Sequence, residues 1–138
     1  MIGIDSLSPY YDLGQKRANL DLFALAPSFR LVEGNLNDLD LEQILEGVEV
    51  VYHLAGQPGV RHSWSTGFVD YLTANVLATQ RLLEVCRDQP SLRRFVFSSS
   101  SSVYGNDPSY PTKESQLPRP YSPYGVTKLA AVAEKAVG

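Results

Sequence analysis

The sequence predicts an α/β protein built on a mainly parallel, doubly wound sheet. Three observations carry this expectation. Short apolar runs alternate with helical patterns along the chain. The clearest run, VEVVYHLA at 48–55, lacks the polar alternation of a strand with one wet face. No internal repeat or charge block interrupts the order. With 138 residues, 43% hydrophobic and 20% charged, the composition is that of an ordinary globular chain, and one domain spanning 1–138 is expected.

The strands are expected at 2–4, 29–32, 48–54 and 94–98. The third should be covered on both faces, because β-branched residues dominate it without a polar side. A first helix is expected over 39–45, with Asn37 and Asp38 to cap it and Gly47 to end it. Phe68, Leu72, Asn75, Val76, Thr79, Leu83 and Cys86 recur at helical spacing through about 20 residues, started by Ser65 or Thr66. A last helix runs from about Tyr121 to Val137, favoured by its alanine-rich end. Five prolines make 105–123 the one long loop, and loops of that length usually carry function.

A formal charge of −3 gives no basic footprint, so a nucleic-acid partner is not expected. The single cysteine, Cys86, excludes an internal disulfide and reads as inert helix packing. No apolar stretch approaches the roughly 18 residues of a membrane span, and no signal peptide precedes the first strand, so a soluble cytoplasmic protein without a membrane partner is expected. His53 and His62 lack partners at metal spacing and read as a strand residue and a loop surface residue. Trp64 reads as packing. No metal site is expected.

Asp5 ends the first strand. It either opens the SLSP turn or accepts the adenosine ribose hydroxyls of a dinucleotide, in which case it disfavours a 2′-phosphate and points to NAD. A glycine-rich phosphate loop should lie roughly 20 residues before such an Asp, and none occurs in this span.

Tyr124 and Lys128 form a Y-x-x-x-K whose i, i+4 spacing places phenol and ammonium on one helix face. A tyrosine of pKa about 10 is a poor base, and a nearby cation favours its phenolate. That pair suits removal of an alcohol proton while hydride leaves the same carbon. Alone the motif is weak, with roughly 0.2 chance matches expected from eight tyrosines and the few lysines. Its context is stronger: the strand RRFVF runs into five serines at the C-terminal strand end, where doubly wound sheets bind ligands. Read alone, that run could equally be a polar loop.

Taken together, GID at 3–5, GNL at 34–36, HLAG at 53–56, FSSSSSVYG at 97–105 and SPYGVTK at 122–128 resemble the extended short-chain dehydrogenase/reductase family, the NAD-dependent epimerase/dehydratases. The likeness is to the nucleotide-sugar epimerase branch. The resemblance implies a Rossmann-like sheet binding NAD. Tyr124 would be the catalytic base, Lys128 its partner and the ligand of the nicotinamide ribose, and Ser100 the group on the sugar hydroxyl being oxidised. Asp5 would hold the adenosine ribose, Asn35 and Leu36 would flank adenine, and Leu54, Ala55 and Gly56 would pass under the cofactor. Asn75 would lie near the site. Dehydratases of the family carry T-D-E where this chain has serines, which argues for an epimerase.

SLSPYYD, the Gln57–Arg61 segment and the hydroxyls Ser100, Ser101 and Ser102 are similar to UDP-glucuronate 4-epimerases. The serines could bond a C6 carboxylate and Arg61 add charge beside it, or Arg61 could be a plain surface residue. By resemblance the substrate is a UDP-sugar, inverted at C4 through a 4-keto intermediate by hydride leaving to NAD and returning to the opposite face, and the full-length parent is a homodimer.

The resemblance also implies that this span is a partial NAD-binding Rossmann domain. Its first strand, phosphate loop and C-terminal substrate lobe would be missing, so the first two strands would lose their partner in the third, leaving two open edges, and activity would be impaired. The competing readings are a non-catalytic oligomerisation or scaffold piece and an NAD-dependent sugar dehydratase or reductase of the same fold.

Overall fold

The structure, a computed structural model, describes residues 1–24, 26–106 and 111–135. In chain order its elements are β1 (Ile2–Asp5), α1 (Leu13–Ala24), β2 (Arg30–Glu33), α2 (Leu41–Leu45), β3 (Val50–His53), α3 (Phe68–Tyr71), a π-helical segment (Leu72–Leu77), α4 (Ala78–Arg87), β4 (Arg94–Phe97) and α5 (Pro123–Lys135). Short 3₁₀ turns occupy Arg61–Ser63, Ser65–Gly67 and Ser101–Tyr104. The chain is therefore α/β with parallel strands, and all four expected strands are present. It groups into two compact units, Met1–Asp40 and Leu41–Gly138. Each unit carries its own two-stranded parallel sheet, β1 with β2 and β3 with β4.

In the first unit Ile2 lies opposite Arg30 and Asp5 opposite Glu33. The missing side chain of Gly3 lets the Phe29 ring lie across the strand, since a Cβ there would stand 2.9 Å from that ring. Helix α1 is the one element that the sequence pattern did not anticipate. It has no apolar stripe: its buried side chain is Lys16, while Leu22 and Phe23 are exposed. Its start is set locally, by Asp12 Oδ1 accepting the Gln15 N–H at 2.8 Å.

In the second unit Val50 lies opposite Arg94 and His53 opposite Phe97. Strand β3 is covered on one face, not both. Val51 and His53 are buried, whereas Val50 and Tyr52 are 40% and 69% exposed. The covered face is the one that meets α4, through a bond from His53 to Thr79. The long expected helix is present over 68–87, but its middle is a π segment at Leu72–Leu77.

That helix does not begin on a Ser65 or Thr66 cap. Those residues sit in a 3₁₀ turn, and α3 starts after Gly67 with no side-chain cap. Helix α2 begins at Leu41, later than expected, and Gly47 closes it at a φ of 73°, a conformation that glycine adopts without strain. Helix α5 begins at Pro123, not Tyr121. Proline fits the first helical position, and Ser122 Oγ accepts the Gly125 N–H at 3.1 Å.

Leu41 and Leu45 of α2 and Leu82 and Cys86 of α4 are buried, and the two helices pack together. Burial pushes the Cys86 thiol up to about 11, so it is inert as expected. Trp64 is 53% exposed, contrary to the packing role expected of it. His62 is exposed in its 3₁₀ turn. Pro108 of the long loop and Val137 of the last helix lie outside the described residues.

Candidate active site

The end of β4 and the start of α5 are brought together by close backbone packing. A Cβ on Gly125 would stand 2.5 Å from the Ser102 carbonyl oxygen, and one on Gly105 would stand 2.0 Å from the Arg119 carbonyl oxygen. Only glycine at these positions lets α5 and the proline-rich loop lie against the serine turn. A backbone bond from Arg119 N–H to the Val103 carbonyl, 2.9 Å, seals the same contact.

Ser100 follows β4 in extended conformation and caps the 3₁₀ turn, its Oγ accepting the Ser102 N–H at 3.2 Å. Ser101 is exposed, and Ser100 and Ser102 are half-buried. One helical turn apart on α5 stand Tyr124, half-buried, and Lys128, 7% exposed. The Lys128 ammonium lies 4.4 Å from the centre of the Phe97 ring, at the end of the strand that leads to Ser100. Among the described residues no carboxylate pairs with it, and burial lowers its pKa. A buried cation without a counter-charge is costly unless something completes its shell. Ser100, Tyr124 and Lys128 thus belong to one packed assembly of strand end and helix.

A hydrogen-bonded network fixes this assembly from behind. Asn75, in the π segment and 2% exposed, accepts the Gln57 N–H through Oδ1 at 2.7 Å. Its Nδ2 donates to the Gln57 carbonyl and to Thr127 Oγ1, both at 3.1 Å. Thr127 in turn donates to the Tyr124 carbonyl at 2.8 Å. The Tyr124 N–H donates to Ser63 Oγ at 3.0 Å, and Ser63 donates to the Val60 carbonyl at 2.7 Å. Tyr71 shares its hydroxyl between the Pro58 and Gly59 carbonyls, and its ring meets the edge of Tyr124 at 6.1 Å between centroids. The segment between Gln57 and Ser63 is therefore pinned by the Tyr71 and Asn75 side chains and by the backbone N–H of Tyr124. Arg61 projects from its end, exposed. Gly56 lies so close to Asn75 that a Cβ would stand 2.7 Å from Oδ1, while Leu54 and Ala55 beside it are exposed.

His53 closes β3, fully buried, with Nε2 2.8 Å from Thr79 Oγ1. Burial first, and the Lys128 ammonium second, lower its pKa to about 4, so the ring is neutral at neutral pH. An open apolar groove of about 430 Å³ lies beside the start of α5, lined by Ser63, Trp64, Phe68, Tyr121 and Val126 among others. Ser100, Tyr124 and Lys128 do not line it, though Pro123 and Val126, on either side of Tyr124 in α5, do.

The remaining expected residues belong to the first unit. Asp5, at the end of β1, accepts the Leu7 N–H at 2.7 Å and lies 3.8 Å from the Lys16 ammonium. That ammonium also sits 4.8 Å from the Tyr11 ring. Asn35 is exposed and holds the Asn37 N–H at 2.9 Å, and Leu36 is buried. Sequence reading missed the support around Tyr124 and Lys128: Ser63, Tyr71, Thr127 and Ser122, and the pairing of His53 with Thr79. Of these only Ser122 carried a signal, as Ser before Pro at a helix start. Among the described residues no cluster could hold a metal ion, and no helix is long and apolar enough to cross a membrane.

The family model described as GDP-mannose 4,6 dehydratase matches residues 2–134. An uncharacterized UDP-glucose epimerase of Bacillus subtilis (strain 168), YtcB, is 44% identical over 129 residues, covering 94% of this chain and 40% of that protein. UDP-glucuronate 4-epimerase 2 of Arabidopsis thaliana is 37% identical over 134 residues, covering 94% of this chain and 30% of that protein. The crystal structure of UDP-glucuronic acid 4-epimerase from Bacillus cereus, in complex with UDP-glucuronic acid and NAD, superposes with a TM-score of 0.94. It is 40% identical and is covered over 43% of its length by 99% of this chain. The chain thus spans less than half of each of these proteins.

Proposed function

The chain belongs to the GDP-mannose 4,6 dehydratase family of NAD-dependent epimerase/dehydratases, and on that premise we propose that it forms part of a nucleotide-sugar 4-epimerase acting on UDP-glucuronate or UDP-glucose. The observation that carries this is the buried, uncompensated Lys128 ammonium beside the serine turn, on the same helix as Tyr124. An anionic phenolate and the hydroxyls of a bound ribose are what such a cation lacks.

The residues fit NAD. Lys128 would hold the nicotinamide ribose, and the exposed segment from Leu54 to Gly56, flattened by the glycine, would lie along the cofactor. In the first unit Asp5 has a carboxylate that is half exposed, suited to the adenosine ribose hydroxyls, and the exposed Asn35 is suited to adenine, whereas the Leu36 side chain is buried. NAD, when bound, supplies an acceptor for the hydrogen of the carbinol carbon. Tyr124 would take the C4 hydroxyl proton, while Ser100 orients that hydroxyl. Ser101, Ser102 and Arg61 would meet the C6 end of the sugar. Both Asn75 donor hydrogens are bonded within the protein. Asn75 would therefore serve a cofactor by holding the Gln57 backbone and α5 in place, not by touching it.

The test incubates the 138-residue chain with NAD and UDP-glucuronate, UDP-glucose or their C4 epimers, and identifies products by NMR. Slow C4 inversion is expected, with Tyr124→Phe lowering it at least about 100-fold. A 6-deoxy-4-keto product would move the assignment to a dehydratase. No binding of NAD and no turnover of any sugar would overturn it for this chain and favour a scaffold piece.

A further inference from the structure

We propose that His53 and Thr79 are positioning residues, which hold the π segment at Asn75 and thereby aim the amide that joins Gln57 to α5.

Thr79 Oγ1 lies 2.7 Å from the Asn75 carbonyl oxygen, and that oxygen can only accept. The hydroxyl therefore gives its one hydrogen to Asn75. With that hydrogen committed, Thr79 can only accept from His53, whose Nε2 is 2.8 Å away. The His53 proton is thereby assigned to Nε2, and a directed relay runs from His53 through Thr79 to Asn75. The neutrality of the buried ring leaves Nδ1 unprotonated.

The relay ends where the backbone is irregular. In the π segment the Ala78 N–H reaches five residues back to the Thr73 carbonyl, so the ordinary helical register is broken there. Thr79 supplies a donor to Asn75 within that break. The same Asn75 carries the three side-chain bonds that fix Gln57 and Thr127. Its carbonyl and its amide are thus held by opposite ends of one network, and loosening the first tilts the second. Thr127 passes the constraint to the Tyr124 carbonyl.

Describing this as positioning of a reacting group rests on the reading of Tyr124 above. The measurements need neither cofactor nor substrate, so their failure is distinct from the failure of that reading. Nitrogen-15 NMR of the full chain at neutral pH should show His53 neutral with its proton on Nε2. Thr79→Val keeps the shape of the side chain but removes both bonds. It should speed exchange of the Gln57 amide hydrogen at least about tenfold, and Thr79→Ser should restore protection. A proton on Nδ1, a charged ring, or Gln57 exchange unchanged in a folded Thr79→Val protein would overturn the proposal. Should Thr79→Val not fold, the tautomer in the unaltered protein still decides.

Discussion

The two units differ in the reach of their side-chain hydrogen bonds. In the first, the bonds Asp5 to Leu7, Asp12 to Gln15, Gln15 to Asn19 and Asn35 to Asn37 are short-range and at the surface. In the second, beside short surface bonds such as Gln80 to Glu84, buried or half-buried bonds span the chain, joining Asn75 to Thr127 across 52 positions and Ser63 to Tyr124 across 61. A local bond at the surface competes with water and shapes only a turn. A buried bond between distant segments has no water to replace it, so it holds the elements it joins. Tyr124 lies on this second kind of support, through Ser63 and Thr127.

The largest expected effect is at its centre. Asn75→Ala leaves both polar groups of the Gln57 backbone without their partner, and should cost about 4 kcal/mol in denaturant unfolding. A loss as small as that of a surface bond would erase the contrast. Next comes acid. His53 has a folded pKa of about 4, below its ordinary 6.5. Stability from the neutral ring is complete above about pH 6.5 and is lost as the pH falls towards 4, by on the order of 3 kcal/mol. Unfolding curves across that window should slope for the native chain and flatten for His53→Gln.

Gly125→Ala should follow, costing about 2 kcal/mol by overpacking against the Ser102 carbonyl and Pro120. It should also displace Tyr124 and so reduce any turnover. Smallest, Asp12→Ala in the first unit removes a cap with water at hand, and about 1 kcal/mol is expected. A cost equal to that of Asn75→Ala would mean that surface caps and buried clamps are not different in kind here.

The same contrast explains what could be read from the residues. Strands β1 to β4 were legible because each is a short apolar, β-branched or aromatic run bounded by turn residues. Tyr124 and Lys128 were legible because helical spacing alone puts them on one face. Helix α1 was not, since an exposed helix needs no apolar stripe; its one mark was Asp12 three residues before Gln15. The start of α3 was misread, because serine and threonine that could cap a helix here lie in a separate 3₁₀ turn. Full cover of β3 was also misread: the run 48–55 is apolar on both sides, yet the elements packed on it leave Tyr52 exposed.

By itself the sequence determined the α/β class, the four strands, the family motifs and the spacing that puts Tyr124 and Lys128 on one helix face, because these depend on near neighbours and residue chemistry. Only the tertiary structure decided which way His53 points its proton, which backbone Asn75 clamps and why glycine must stand at 125. Those follow from contacts between residues far apart in the chain, and no local pattern encodes a distance across the fold.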